Sequence, residues 1–184
     1  GETSFVIRGN GYIEELCGDN ILKISPNSFY QTNSVQSERL YSIIRNWLGK
    51  DVENILDLYS GTGSIALYLA SFAKKITGVE LVQEATNDAI CNAKKNAVHN
   101  CNFLSAPVED FLKELDSFNY DLIIIDPPRP GIHPKVLRTL GYIRPPWILY
   151  VSCNIKTLVE DLENLVGFGY KIGRMRPVDM FPHT

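Results

Sequence analysis

The most reactive side chain in the sequence is a cysteine that follows an apolar run. Cys153 lies between the run Ile148–Ser152, which has the composition of a buried strand, and a helical stretch that starts near Ile155. A helix N-terminus stabilises the thiolate form of a cysteine, and the thiolate is the nucleophile. The pattern favours a nucleophilic thiol at a strand tip, although a free cysteine that only fills space fits the same spacing.

A glycine-containing turn and a distant acid predict a nucleoside-binding site. One strand-like run leads into Asp57-Leu-Tyr-Ser-Gly61-Thr-Gly63-Ser64, and the next ends in Glu80, seventeen residues beyond Gly63. Glycines let a backbone turn approach a ligand, and an acid in this place can accept both hydroxyls of a ribose. The turn matches neither the dinucleotide fingerprint nor the P-loop pattern. It resembles class I S-adenosylmethionine-dependent methyltransferases; an ordinary turn with a solvated Glu80 is the other interpretation.

Both motifs fall in a region where strand-like and helical segments alternate. The strand-like runs are Asn54–Leu58, Lys75–Val79, Asn102–Ser105, Asp121–Ile125, Ile148–Ser152 and Tyr170–Arg174. Helical spacing is found over Val35–Leu48 and near residues 63–72, 82–98, 108–115, 134–142 and 155–166. The alternation predicts an α/β fold with a mostly parallel sheet covered by helices on both faces, where ligands bind beyond the carboxyl ends of the strands. With the turn, it indicates a Rossmann-like methyltransferase sheet of the seven-stranded type.

The first residues follow another pattern. A hairpin around Gly9-Asn10-Gly11 and a further strand are expected, over Thr3–Arg8, Tyr12–Leu16 and Ile21–Ser25. Residues 1–24 are therefore expected to be the tail of a preceding domain, and residues 25–184 the catalytic domain, truncated before its C-terminal end. Asn33, with Gln36 three residues later, predicts an N-cap for the helix that follows.

The composition limits the partners and the compartment. The formal net charge is −3, so this chain is not itself a basic RNA-binding surface. Cys17, Cys91 and Cys101 are expected to be structural, and no C-x-x-C pair indicates a zinc or redox site. Isolated thiols fit a reducing cytoplasm, and no apolar run reaches the roughly eighteen residues of a membrane span. We expect a cytoplasmic monomer without a metal ion.

Three motifs together resemble the RNA uracil-5 methyltransferase family, whose members modify tRNA or 23S ribosomal RNA. The first is Asp126-Pro-Pro-Arg129-Pro-Gly131, followed after sixteen residues by Ile148-Leu-Tyr-Val-Ser-Cys153-Asn154 and then Thr157. The second is Asp179-Met-Phe-Pro-His-Thr184, the first half of a family pattern that continues to a glutamate. The third is Phe29-Tyr-Gln31-Thr-Asn33, and the whole resemblance covers residues 24–184.

The resemblance implies transfer of a methyl group from S-adenosylmethionine to carbon 5 of a uridine in structured RNA. Cys153 is then the nucleophile, and Arg129 and Asn154 help to position the substrate, unless Arg129 only ties down its own loop. The implied cofactor contacts are Gln31, Tyr59, Gly61, Ser64, Glu80, Pro107 and Asp126. Asn33 is expected to act only as a helix cap, and an RNA-binding domain is expected outside this chain.

The chemistry explains why such an enzyme needs a cysteine. Carbon 5 of uracil is a poor nucleophile until a thiolate adds to carbon 6 and gives carbon 5 the character of a carbanion. A base must later remove the proton from carbon 5 before the thiolate is eliminated. In the family this base is the glutamate that follows the matched half of the second pattern, and His183 is not expected to replace it. We therefore expect this chain alone to be inactive, or nearly so, on ordinary RNA.

Three other interpretations stay open. RNA cytosine-5 methyltransferases typically have a cysteine in the fourth-strand motif D-A-P-C, where this chain has Asp126-Pro-Pro-Arg129. Methyltransferases that act on amino groups usually have an aromatic residue where Arg129 stands, and Cys153 would then serve only for packing. The third is a catalytically incomplete module that binds S-adenosylmethionine.

Overall fold

The computed structural model describes residues 8–49, 52–115 and 118–182. Its strands are β1 Ile13–Cys17, β2 Asn20–Ile24, β3 Asn54–Leu58, β4 Lys75–Glu80, β5 Cys101–Ser105, β6 Leu122–Ile125 and β7 Trp147–Tyr150. Its α-helices are α1 Ser34–Trp47, α2 Ser64–Leu69, α3 Gln83–Lys95, α4 Val108–Lys113, α5 Pro134–Ile143 and α6 Ile155–Gly167. A short 3₁₀ turn, Ala70–Phe72, follows α2. The six helices expected from the sequence are confirmed, with ends that differ by at most three residues.

Strands β3 to β7 form one parallel sheet in the order β5-β4-β3-β6-β7. Side chains of a strand alternate between the two faces of its sheet, so neighbouring residues enter different cores. Ile55 packs into a core with Leu22 and Ile44 on the face of the hairpin and α1. Leu56 packs on the other face, with Leu140 of α5 and residues of α4 and α6. The α/β class and the parallel sheet with helices on both faces are thereby confirmed, with five strands among the described residues.

Two of the three strands expected near the N-terminus are observed, and they form a hairpin. Strand β1 pairs antiparallel with β2, which corresponds to the expected strand Ile21–Ser25. The turn is Gly18-Asp19, and Gly18 has φ +58°, as the tight two-residue hairpin turns require. Residues 3–7 of the expected strand Thr3–Arg8 lie outside the described residues, so the hairpin around Gly9-Asn10-Gly11 stays a prediction.

The expected strand Tyr170–Arg174 is not observed. This segment belongs to no helix or strand in the structure. Alternating composition alone cannot make a strand, because a strand needs a hydrogen-bonded neighbour. Beyond it, the carbonyl oxygen of Met180 accepts a 3.0 Å hydrogen bond from Asn33 Nδ2, which brings the C-terminal segment to the start of α1. None of the described helices is long and apolar enough to cross a membrane.

A single carboxylate ties the beginnings of β3 and β6 together. Asp121 Oδ2 accepts hydrogen bonds from the backbone nitrogens of Asn54, at 2.7 Å, and Glu53, at 2.9 Å. These two hydrogen bonds lower the pKa of Asp121 below its ordinary value of 3.8. Since the pKa is lower in the folded chain, the stabilisation is fully present above the ordinary pKa. It is lost as the pH falls through the lower, folded value.

We therefore expect Asp121→Asn to lower the free energy of unfolding by about 1 kcal/mol at pH 7, since it weakens two charge-assisted hydrogen bonds at a solvent-accessible site. Urea unfolding at pH 7 and at pH 3 measures the difference from the wild-type protein. The difference should shrink at pH 3, where the wild-type carboxylate also takes up protons. An equal difference at both pH values would show that the charge of Asp121 does not contribute.

Candidate active site

The residues expected to do chemistry come together at the carboxyl edge of the sheet. Tyr59 directly follows β3, Glu80 ends β4, Asp126 follows β6, and Cys153 lies in the loop after β7. Because these four strands run parallel, their carboxyl ends meet at one edge. The expected position of both motifs, just beyond the strands, is confirmed.

The turn after β3 is a strained backbone held by its neighbours. Tyr59 has φ +64°, Gly61 φ +53° and Gly63 φ +79°, and Gly63 is the N-cap of α2. A Cβ atom on Gly63 would lie 2.8 Å from Cζ of Phe103, so glycine is required there for space as well as for conformation. The backbone nitrogen of Ser60 donates to the carbonyl of Val79 on β4 at 3.1 Å. The turn is thus fixed against the neighbouring strand.

Glu80 holds this turn through both carboxylate oxygens. Its Oε2 accepts from the backbone nitrogen of Gly61 at 3.0 Å, and its Oε1 accepts from that of Val82 at 2.8 Å. Each carboxylate oxygen has two lone pairs, so these bonds leave acceptor capacity on both oxygens. Glu80 can therefore position the turn and accept the hydroxyl groups of a ligand together.

Five of the seven expected cofactor contacts line one cavity at this edge: Gln31, Tyr59, Gly61, Ser64 and Asp126. Glu80 lies next to the cavity through its bond to Gly61. Pro107 does not line the cavity; it is the N-cap of α4 in the loop after β5. Ser64 also makes a contact that the sequence did not indicate, because its Oγ lies 3.0 Å from the hydroxyl of the buried Tyr41 on α1.

Several polar atoms around the cavity are buried without a partner. Ser60 Oγ, Thr62 Oγ1 and both carboxylate oxygens of Asp57 have no hydrogen-bond partner of standard geometry in the described ranges. Buried polar groups are almost always hydrogen-bonded, and leaving one unpaired costs about 1–3 kcal/mol. Such a cluster at the end of a pocket is a mark of a polar ligand site. The sequence showed Asp57 only as the first residue of the turn motif, so its place here was missed.

Burial also changes the pKa of two acids, Asp126 in the lining of the cavity and Asp57 in β3, which does not line it. The pKa of Asp57 is raised well above its ordinary value, first by burial and then by the charge of Asp126. Burial raises the pKa of Asp126 to about 7. The site therefore disfavours two adjacent negative charges. A ligand with hydrogen-bond donors or positive charge would favour the ionised forms of both acids.

Cys153 has an exposed side chain at the beginning of α6. Its neighbour Asn154 is the N-cap of this helix, with Oδ1 accepting from the backbone nitrogen of Lys156 at 3.1 Å. The Nδ2 of Asn154 donates to the carbonyl oxygen of Arg129 at 3.1 Å, and Thr157 Oγ1 donates to the same oxygen at 3.3 Å. The backbone of Arg129 is thus tied to the cysteine loop, while its side chain is exposed.

A second set of hydrogen bonds, centred on Asp161, joins the loop after β6 to the end of β7. The sequence did not indicate it. Asp161 on α6 is buried, and its Oδ2 accepts from the backbone nitrogen of Ile132 at 2.8 Å and from the hydroxyl of Tyr150 at 2.7 Å. Burial, together with the hydrogen bond to Asp161, raises the pKa of Tyr150. The available signal was an acid at an otherwise apolar position of α6, three residues after Leu158 and four before Leu165.

The remaining sequence expectations have mixed outcomes. Cys17 and Cys101 are buried, which raises the pKa of their thiols to about 11 and about 12. Cys91 is exposed on α3, so the expectation of a buried structural role was wrong for it. Asn33 is confirmed as the N-cap of α1, and its side chain also holds the carbonyl of Met180. His183 lies outside the described residues.

Relatives of the chain are RNA methyltransferases. A family model described as tRNA (Uracil-5-)-methyltransferase matches residues 17–184. An uncharacterised RNA methyltransferase of Clostridium tetani is 47% identical over 181 residues, which are 97% of this chain and 39% of that protein. One of Chlorobaculum tepidum is 43% identical over all of this chain and 39% of its own length. The chain thus spans about two fifths of the curated relatives that it matches.

Solved structures agree with this comparison. The tRNA (uracil-54, C5)-methyltransferase of Pyrococcus abyssi, in complex with S-adenosyl-L-homocysteine, has a TM-score of 0.83 and 36% identity over 96% of this chain and 43% of that one. A ribosomal protein L11 methylase from Lactobacillus delbrueckii subsp. bulgaricus has a TM-score of 0.64 at 17% identity, covering 83% of this chain and 78% of that one. At that identity the likeness concerns the fold alone.

The hydrogen bonds that Asp161 accepts can be tested by their contribution to the free energy of unfolding. We expect Asp161→Ala to lower the free energy of unfolding by about 3 kcal/mol, because it leaves the buried amide of Ile132 and the hydroxyl of Tyr150 without an acceptor. Tyr150→Phe removes only one of these donors and should cost about 1 kcal/mol. Denaturant unfolding measures both variants. Equal losses would contradict a shared role of the carboxylate.

Proposed function

The chain belongs to the tRNA (uracil-5-)-methyltransferase family, and on that basis we propose that it methylates carbon 5 of a uridine in RNA, with S-adenosylmethionine as the methyl donor and Cys153 as the nucleophile. The observation that carries the proposal is that the cysteine loop and the cavity lie at the same edge of the sheet. An exposed cysteine in the loop after β7 shares this edge with a cavity at which the hydroxyls of Ser60 and Thr62 are buried and unpaired. Nucleophile and cofactor must lie on one edge if both are to reach the same base.

The residues of the cavity fit a sulfonium nucleoside. Glu80 has free lone pairs for the two ribose hydroxyls. Ser60 and Thr62 offer unpaired hydroxyls, and Asp126 offers an acidic group whose ionised form a cationic ligand would favour. Gln31, Tyr59, Gly61 and Ser64 complete the walls. We propose Pro107 only as a contact made through its loop, because it does not line this cavity.

Cys153 supplies what the uracil ring lacks. Its thiolate adds to carbon 6, the new C–S bond pushes the ring electrons into an enolate, and carbon 5 becomes nucleophilic. When bound, S-adenosylmethionine supplies an electrophilic methyl group for that carbon. Loss of the carbon-5 proton to a base then restores the double bond, breaks the C–S bond and returns the thiolate. Cys153 is thus needed before and after the transfer and is not consumed.

The substrate is proposed as structured tRNA or ribosomal RNA. The relatives are RNA methyltransferases, and the Pyrococcus abyssi relative acts on a tRNA uracil. The chain has a net charge of −3, so we propose that RNA affinity comes mainly from another domain, with residues 1–24 leading from it. The exposed Arg129 side chain, next to the cysteine loop, is the group we propose to contact a phosphate or the base. We also propose that the enzyme acts as a monomer in the cytoplasm.

Cofactor binding can be measured apart from catalysis. We expect the wild-type chain to bind S-adenosyl-L-homocysteine in a calorimetric titration, and Glu80→Gln to weaken the binding about tenfold because charge-assisted hydrogen bonds to the ribose are lost. Glu53→Gln is the matched control, because it removes the same charge. Glu53 lies just before β3, where it pairs with Lys74. An equal loss of affinity in both variants would show that Glu80 affects binding only through the net charge of the protein.

The nucleophile can be tested by covalent trapping. RNA that contains 5-fluorouridine should give a protein–RNA adduct that survives a denaturing gel when S-adenosylmethionine is present. Fluorine cannot leave carbon 5 as a proton does, so the adduct accumulates whether or not a base is in place. We expect Cys153→Ala to abolish the adduct. Cys91→Ala, which removes another exposed thiol, should leave it unchanged.

Each other outcome selects a different function. An adduct only with RNA that contains 5-fluorocytidine would change the target to cytosine. Methyl transfer that survives Cys153→Ala would indicate an amino group as the target. Binding of S-adenosyl-L-homocysteine without any adduct, even when an RNA-binding domain from a relative is supplied, would leave a binding module and contradict the proposed reaction.

A further inference from the structure

One face of α3 carries polar side chains at every fourth residue. Glu84, Asp88, Asn92 and Asn96 follow one another at this spacing, which places them in one row on a helix. Asp88 is 1% exposed and Asn92 is fully buried. The row faces β2. The two asparagine side chains form hydrogen bonds with the backbone of β2, as a neighbouring strand would.

Asn92 joins the hairpin to the turn that follows β3. Its Oδ1 accepts from the backbone nitrogen of Lys23 at 2.7 Å, and its Nδ2 donates to the carbonyl of the same residue at 3.0 Å. The same Nδ2 donates to the carbonyl oxygen of Thr62 at 3.2 Å. Thr62 lies between Gly61 and Gly63, in the wall of the proposed cofactor cavity. One amide therefore fixes two segments that are far apart in the chain.

Asp88 anchors the segment before residues 29–31, which form the wall of the cavity opposite Thr62. Its carboxylate accepts from the backbone nitrogen and the hydroxyl of Ser25 and from the hydroxyl of Ser28, and it pairs with Lys23 Nζ at 3.0 Å. Burial opposes ionisation, but the hydrogen bonds from Ser28, Lys23 and Ser25 outweigh it and lower the pKa of Asp88. Ser28 leads directly into Phe29 and the residues after it that line the cavity.

The two walls meet where the cavity is formed. The carbonyl oxygen of Phe29 lies 3.5 Å from the place that a Cβ atom on Gly61 would take. One wall is anchored on Asp88 and the other on Asn92, one helical turn apart on the same rigid helix. The distance between the walls is therefore set by α3.

We propose that Asp88 and Asn92 are positioning residues that set the width of the S-adenosylmethionine cavity, so that cofactor affinity is coupled to the docking of the hairpin on α3. The inference rests on the proposed cofactor. A site whose walls are held in place before binding loses less freedom on binding, and so has a higher affinity. Neither residue needs to touch the cofactor.

Asn96 offers a matched control for Asn92. Its Oδ1 accepts from the backbone nitrogen of Ile21 and its Nδ2 donates to the carbonyl of Ile21, each at 2.9 Å, so it binds the hairpin as Asn92 does. Its remaining bond is to the carbonyl of Asn92 and not to the cavity turn. Asn92→Ala and Asn96→Ala both weaken the hairpin contact, but only the first releases the turn.

The test is the affinity for S-adenosyl-L-homocysteine, measured by calorimetry well below the melting temperature of each variant. We expect Asn92→Ala to raise Kd at least about fivefold, as expected for the loss of one buried hydrogen bond, and Asn96→Ala to change it less than about twofold. Equal changes in Kd would overturn the inference. Absence of binding by the wild-type chain would overturn the proposed cofactor itself, whereas binding that Asn92→Ala leaves unchanged would overturn the inference alone.

Hydrogen exchange on the wild-type protein gives a second test that does not depend on the folding of a variant. The amides of Lys23 and Ile21 are both bonded to α3 asparagine side chains, the first through Asn92 and the second through Asn96. Saturating S-adenosyl-L-homocysteine should slow exchange at Lys23 more than at Ile21. Equal slowing, or none at either amide, would count against coupling through Asn92.

Discussion

The parallel sheet, covered on both faces, constrains everything else in this structure. Its central strand β3 has fully buried Ile55 and Leu56 on opposite faces, so a polar side chain in the middle of the strand can face only a dry interior. Polar groups are tolerated without loss of stability mainly where a strand ends and a loop begins. All strands of this sheet end at the same edge, which is why the turn after β3, the acids and the cysteine loop meet there.

Buried polar residues in this chain fall into two groups, and the difference separates positioning from binding. Asp88, Asn92 and Asp161 are buried with their polar atoms occupied by backbone or side-chain partners. Ser60 and Thr62, at the cavity, are equally buried, but their hydroxyls have no such partners among the residues described. An unpaired buried polar group destabilises the fold, and hydrogen bonds to a bound ligand would compensate for that cost. The first group holds loops in place, and we propose that the second group forms hydrogen bonds with a ligand.

The sequence was sufficient for the order of the elements because each strand from β3 to β7 is a short apolar run between helical stretches. It was sufficient for the sheet edge too, since the turn at Gly61 and the acid Glu80 need only follow consecutive strands. It failed at residues 170–174, which were expected to form a strand but belong to no strand or helix, because a strand depends on a hydrogen-bonded neighbour. It also failed for Cys91, because a small apolar side chain on an amphipathic helix suits either face.

Asn154 shows why a residue inside a family motif need not contact the substrate. Its Oδ1 caps α6 and its Nδ2 holds the Arg129 carbonyl, so its amide already has a partner on each polar atom. A substrate contact from this side chain would have to displace one of those bonds, at the cost of a frayed helix start or a released loop. The side chain of Arg129 is exposed, and the bond from Asn154 to the Arg129 carbonyl fixes the backbone from which that side chain extends. If RNA is the substrate as proposed, Arg129 would position it directly and Asn154 would act through the Arg129 backbone.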